Sequence, residues 1–191
     1  MKKIFTFGLL LMGSFALTAQ TAQSVAFTKQ DSSLDAPRLL GVTNNALAKQ
    51  VVFQSTGGVK GGCYKITKPA GSKRSVTVLL NKNTQLNVLN ASAALNLKLS
   101  LKGKGSVRLT FLCYDSKRRY FTQFDKPFRK VDTANAWKSF EFSYTPNPQN
   151  KSYIAKIAYV MPVLIVDSGE FLVDDWKGEV KVPSAKIQLD D

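Results

Sequence analysis

The sequence predicts an all-β fold, an antiparallel β-sandwich. Three observations carry that prediction. Apolar residues alternate with polar ones in short runs, clusters of Gly, Pro, Lys and Asn separate the runs, and no segment carries an apolar stripe of 3.6-residue period. At 191 residues, 44% of them hydrophobic, the chain can bury one sizeable core and hardly two.

The elements follow in order. Residues 20–38 form a polar lead-in, with a strand expected near 24–28. QVVFQ, CYKIT and SVTVLL are the first strands of the domain. ALNLKLSLK is the clearest of all: Leu95, Leu97, Leu99 and Leu101 face one way, Asn96, Lys98, Ser100 and Lys102 the other. KGKG then reads as a turn, and SVRLTFLCYD alternates again with Val107, Leu109, Phe111 and Cys113 inward, so the two runs are expected to form a hairpin. SKRR is a second turn, leading into YFTQF; residues 126–135 read as a polar loop. In WKSFEFSYTP, Phe140, Phe142 and Tyr144 share a face. SYIAKIAYVM, FLVDDW and EVKV complete the series. The domain is expected to span residues 39–183, with a polar tail at 184–191.

The first residues have another character. MKK, an apolar run over residues 4–17 and the small residues of ALTAQ make the three-part pattern of a secretory signal peptide, cut after Ala19. The run is shorter than the roughly 20 residues a membrane span requires, and no later segment is long and apolar enough. The mature protein is expected to be exported to the periplasm, cell surface or exterior. The formal charge is +14, and loss of Lys2 and Lys3 leaves +12. Such a charge speaks of partners rather than of fold: an anionic glycan, an envelope surface or nucleic acid, the last disfavoured by export.

Export gives the two cysteines meaning. If Cys63 and Cys113 pair, the long loop they close contributes about 4 kcal/mol in the chain-entropy model. Parity opposes pairing, because Cys113 alternates with core residues whereas Cys63 shares its face with Lys65 and Thr67. A disulfide and two buried free thiols are the alternatives.

ALNLKLSLKGKGSVRLTFLCYDSKRRYF, WKSFEFSYTP and EFLVDDWKGEV, in that order and spacing, resemble the signature strands of bacterial carbohydrate-binding modules of the family 4/9 type. The resemblance covers about residues 60–182. It implies a galactose-binding-domain-like jelly roll of two antiparallel sheets. It also implies a structural calcium held by the acids of the closing strand, Asp174 and Asp175, with backbone carbonyls. The chain departs from the pattern at its front, where NNALAKQ supplies no acid. The alternative is that one of these acids caps a loop by accepting backbone N–H bonds, or pairs with a nearby Lys.

In a jelly roll of this type the outer face of one sheet can hold a glycan. The outward set on the expected hairpin is Asn96, Lys98, Arg108, Thr110 and Tyr114, with one of Tyr120 and Phe121 also facing out. Aromatic rings stack on sugars, and the polar side chains reach hydroxyls or acidic groups. Trp137 reads as a packing residue; Trp176 is open to either role. SKRRYFTQFDKPFRK interleaves six basic residues with aromatics, a pattern suited to a sulfated or uronic polysaccharide.

Catalysis finds little support. With no histidine, Ser-His-Asp and Cys-His arrangements and His-containing metal sites are excluded, and two cysteines cannot build a zinc site. TGGVKGG lacks the spacing of a phosphate loop or dinucleotide fingerprint. The expected function is therefore non-catalytic binding of a polysaccharide or glycoconjugate, an acidic one included. The competing reading is an envelope or surface protein that uses the sandwich for protein–protein contact.

Overall fold

A computed structural model describes residues 23–26, 33–37, 39–80, 86–87, 94–124, 127–145 and 155–182. The expected signal peptide and polar tail lie outside them. In chain order the strands are β1 (Gln23–Ala26), β2 (Gly41–Val42), β3 (Val51–Gln54), β4 (Cys63–Thr67), β5 (Val76–Leu79), β6 (Leu86–Asn87), β7 (Ala94–Tyr114), β8 (Tyr120–Gln123), β9 (Arg129–Asp132), β10 (Lys138–Tyr144) and β11 (Tyr159–Val182). A 3₁₀ turn at Asn45–Gln50 precedes β3. The Asn44 side chain caps it, accepting the N–H of Ala46.

The fold is an antiparallel jelly roll organised by two long strands. β7 and β11 pair along nearly their whole length, from Tyr114 opposite Tyr159 to Ala94 opposite Lys181. The other strands flank this ribbon: β10, β9 and β8 beside β7, and β1, β4, β5 and β6 beside β11, with β3 beyond β4 and β2 beyond β5.

The ribbon is doubled over. Phe142 of β10 sits opposite Leu97, and its ring centroid is 5.7 Å from that of Phe111. Leu97 and Phe111 are 14 residues apart on β7, about 46 Å in a straight strand at roughly 3.3 Å per residue. Phe124 and Tyr144 repeat the observation, stacked with centroids 3.8 Å apart. One layer is therefore built on residues 94–101 of β7 and the C-terminal half of β11. The second is built on residues 103–114 of β7 and the N-terminal half of β11. Leu95, Leu97, Leu99 and Leu101 from the first layer meet Val107, Phe111, Val160, Leu164 and Val166 from the second in one core.

This corrects the expected hairpin. KGKG is not a turn: β7 runs straight through it. Gly103 (φ 145°) and Gly105 (φ 153°) lie where the ribbon folds, and a Cβ on them would stand 2.2 Å from the Glu170 carbonyl oxygen and 2.0 Å from that of Ser168. The glycines serve close backbone approach at a bend, which the sequence pattern alone does not distinguish from a turn. Because four residues separate Leu101 from Ser106, the inward parity survives, and Val107, Phe111 and Cys113 are buried as expected. A second correction concerns residues 126–135, where β9 forms and pairs with residues 104–107 of β7.

Candidate functional site

Doubling the ribbon sends the two outer faces to opposite sides of the molecule, and they differ in chemistry. The first layer presents polar groups that pair with one another. Lys98 lies 3.0 Å from Glu141 and Lys65 lies 2.8 Å from Glu170, whose second oxygen accepts the Thr67 hydroxyl at 3.0 Å. The Glu170 carboxyl is held below its ordinary range first by the hydrogen bond from Lys65. Such half-exposed pairs contribute little to stability, and among the described residues no exposed aromatic side chain stands beside them.

The outward parity of the second layer carries rings and hydrocarbon, of which Tyr120 is exposed while Met161 and Val163 are buried. Tyr114 is directly opposite Tyr159 on β11 and Tyr120 on β8, so three tyrosines form one row across three strands. The rings of Tyr114 and Tyr120 meet edge to face with centroids 6.1 Å apart. Tyr120 is 60% exposed. The next rows along the strands are Leu112 with Met161 and Thr110 with Val163, and Leu79 of β5 adjoins Val163.

A basic turn closes one end of the row. Asp115 organises it. One carboxylate oxygen accepts the N–H groups of Lys117 and Arg119, both at 2.9 Å, and the other accepts the Arg119 guanidinium at 2.9 and 2.8 Å. The backbone hydrogen bond from Arg119, followed by that residue's guanidinium, holds the Asp115 carboxyl below the ordinary range. The turn places Arg118 in the left-handed region (φ 60°) and sets its guanidinium 4.8 Å from the centre of the Tyr159 ring. Arg119 is thus neutralised within the turn, while Arg118 extends the tyrosine row with a planar cation.

The predicted residues divide accordingly. Arg108, Tyr114 and Tyr120 belong to the second layer's outer face, where Arg108 lies over the Phe128 ring at 4.5 Å. Asn96 and Lys98 stand on the opposite side of the sandwich, so the expected outward set does not converge. Thr110 is fully buried, its hydroxyl donating to the Phe124 carbonyl at 2.9 Å. Of the pair after the SKRR turn, Tyr120 faces out and Phe121 packs against the core. Trp176 is buried and Trp137 half-buried. Tyr159 was not anticipated. It opens a run, residues 159–166, in which nearly every side chain is apolar, so alternation could not say which ones face out.

The acids of the closing strand act on backbone. Asp174, 2% exposed, accepts the Val59 N–H with one oxygen and the Asp175 N–H with the other, both at 2.7 Å. It pins residues 55–62 to β11 at an irregularity where Asp175 takes φ 55°. Each oxygen thus accepts one backbone N–H, the loop-capping role that was the alternative to a metal ligand. No group of three or more candidate metal-ligating side chains gathers among the described residues.

Of the two alternatives for Cys63 and Cys113, the structure has the second: both thiols are free and buried. Cys113 is in the main core, whereas Cys63 points away from it, 3.7 Å from Gln54 Oε1 and 3.8 Å from the Thr56 carbonyl. Opposite faces of a sheet cannot be bridged. Burial raises both thiols, Cys113 to about 12.

No protein-family model matches the sequence, and no curated protein matches it. Solved structures do. The CBM22-1 xylan-binding domain of Paenibacillus barcinonensis Xyn10C is 10% identical, with a TM-score of 0.53 over 80% of this chain and 93% of that one. The tandem CBM22-1–CBM22-2 of the same protein gives 0.57 at 9% identity, over 87% of this chain, which spans about half (48%) of the tandem. The family 11 carbohydrate-binding module of Clostridium thermocellum Lic26A-Cel5E gives 0.52 at 11% identity, over 86% and 96%. This chain shares the jelly-roll fold of carbohydrate-binding modules. Among the described residues no helix is long and apolar enough to cross a membrane.

Proposed function

We propose that this chain is an exported, non-catalytic carbohydrate-binding protein of the family 4/9 type. Its ligand is an acidic polysaccharide or glycoconjugate, bound on the outer face of the second layer. The observation that carries this reading is the row Tyr159–Tyr114–Tyr120, with the Arg118 guanidinium at its end. Rings in a row offer stacking faces to successive sugars. An arginine held by its turn offers planar, bidentate pairing to a uronate or sulfate. The shared fold with modules that bind glycans supports the reading, as does the net positive charge.

Retention of the full chain on immobilised neutral and uronic-acid polysaccharides, at low and high salt, tests it. Retention by an acidic glycan that persists in high salt is the expected result. Binding to every polyanion that vanishes with salt would reduce the site to a basic surface. Absence of retention together with self-association of the chain would favour protein contact instead.

A further inference from the structure

The tyrosine row has two unlike ends. At one, Tyr120 is 60% exposed and presents an open ring. At the other, the Arg118 guanidinium lies over the Tyr159 ring, 4.8 Å from its centre, and Arg118 is itself exposed. A guanidinium stacked by its face still pairs through its N–H groups, which lie in its plane. The row therefore runs from a ring that takes a sugar by its face to a planar cation that takes a carboxylate by its edge.

The cations at the open end are of another kind. Arg119 precedes Tyr120, but its guanidinium is held by one Asp115 oxygen at 2.9 and 2.8 Å, so its charge is met inside the turn. Lys117 is exposed in the same turn, and an ammonium on a flexible stem attracts an anion without fixing its angle. A carboxylate laid against Tyr120 would lose water and gain no fixed partner, whereas a neutral sugar gives the ring its apolar face and keeps its hydroxyls in water.

Resting on the glycan reading above, we propose that the row selects a chain in which a uronate is linked to a neutral sugar over a chain of uronates alone. Neighbouring strands lie about 4.8 Å apart, so Tyr120 and Tyr159 stand two strand spacings apart with Tyr114 between them. The neutral sugar lies on Tyr120. The uronate follows it above Tyr114, and its carboxylate reaches Arg118. A second carboxylate, on the Tyr120 side, weakens binding.

The test is isothermal titration calorimetry of the full chain with polygalacturonate and polyglucuronate. Each polymer is used intact, with about half of its carboxyls reduced to alcohols, and fully reduced. Linkage and ring geometry stay constant within a series, so only the share of acidic sugars changes. At least one series should bind tightest in its half-reduced form, about fivefold or more over both the intact and the fully reduced form. In Arg118→Gln, an exposed turn residue, this maximum should vanish. Affinity that falls steadily with reduction would mean that total charge decides. Affinity that rises steadily would mean a neutral ligand, and a maximum that survives in Arg118→Gln would put the anion elsewhere. Each of these three results overturns the proposal and leaves glycan binding standing. Binding to no form of either polymer would overturn the glycan reading and the proposal with it.

Discussion

Tyr114 stands directly opposite Tyr159, with Tyr120 completing the row on the other side. The row runs across the strands, so a polysaccharide stacked on it would cross β11, β7 and β8 in turn. The exposed ring of Tyr120 has the most surface to give. Tyr120→Ala and Tyr114→Ala should each weaken retention on the bound polysaccharide about tenfold, near 1.4 kcal/mol. Lys98→Ala, on the opposite side of the sandwich, should leave it unchanged. Affinity electrophoresis of the three variants checks this, and an effect from Lys98 equal to that from Tyr120 would move the site.

Asp115 builds the turn that aims Arg118. Asp115→Ala removes two backbone hydrogen bonds and the Arg119 pair together. The backbone bonds between residue 115 and Arg118 and Arg119 remain, but the side-chain bonds that fix the turn are lost and Arg118 is held less firmly over Tyr159. The variant should lose preference for acidic over neutral glycans while keeping its fold. The ratio of the two affinities is the measurement, and Arg118→Lys should reduce it partway, since an ammonium keeps the charge without the planar fork.

Much of this fold was legible where one face of a strand is wet. Leu95–Leu101 and Phe140–Tyr144 alternate cleanly, and their inward side chains are the ones predicted. What failed was long-range. Asn96 and Tyr114 have the same parity on one strand, so sequence groups them, but the fold at Gly103 and Gly105 sends them to opposite sides. The true partner of β7 is β11, far along the chain and apolar on both faces for much of its length. That is why Tyr159 went unseen. Parity did foresee that Cys63 and Cys113 would point apart.

The bend itself can be tested. At Gly105 a methyl group would meet the Ser168 carbonyl at 2.0 Å in a backbone conformation L residues rarely adopt. Gly105→Ala should cost about 3 kcal/mol or more, or prevent folding. At roughly 2–4 °C per kcal/mol for a chain of this size, the melting temperature should fall by about 6–12 °C. If KGKG were a tolerant loop, the loss would be near zero, and calorimetry separates the two.

The free thiols predict a chemical result. Burial holds Cys113 at about 12 and raises Cys63, so neither presents thiolate at pH 8. A thiol-alkylating reagent should leave the native chain unlabelled at pH 8 and add two groups in denaturant. No label in denaturant without reductant, and two after reduction, would reveal the disulfide that the fold does not hold.

Asp115 and Asp174 should titrate in opposite directions from the ordinary carboxylate value of about 3.9. Asp115 is depressed, by the Arg119 backbone hydrogen bond first, so its contribution is complete above the ordinary value and is lost as pH falls through the lowered one. Asp174 is raised, chiefly by burial, with the hydrogen bonds from Val59 and Asp175 opposing that rise. Its folded form holds the proton more tightly than the unfolded form. Its ionisation therefore lowers stability as pH climbs from the ordinary value through the raised one, and above that window the penalty is constant. Replacing Asp174 with Ala removes this pH dependence but takes the acceptor from two part-buried N–H groups, at less than the roughly 1–3 kcal/mol each that fully buried donors would cost. The variant should be less stable at neutral pH, with faster amide exchange at Val59. A carboxyl-detected NMR titration, showing Asp115 below and Asp174 above the ordinary value, checks both directions in one experiment. Asp174 titrating below it would mean that the two hydrogen bonds outweigh burial, and stability would then fall with acid through Asp174 as it does through Asp115.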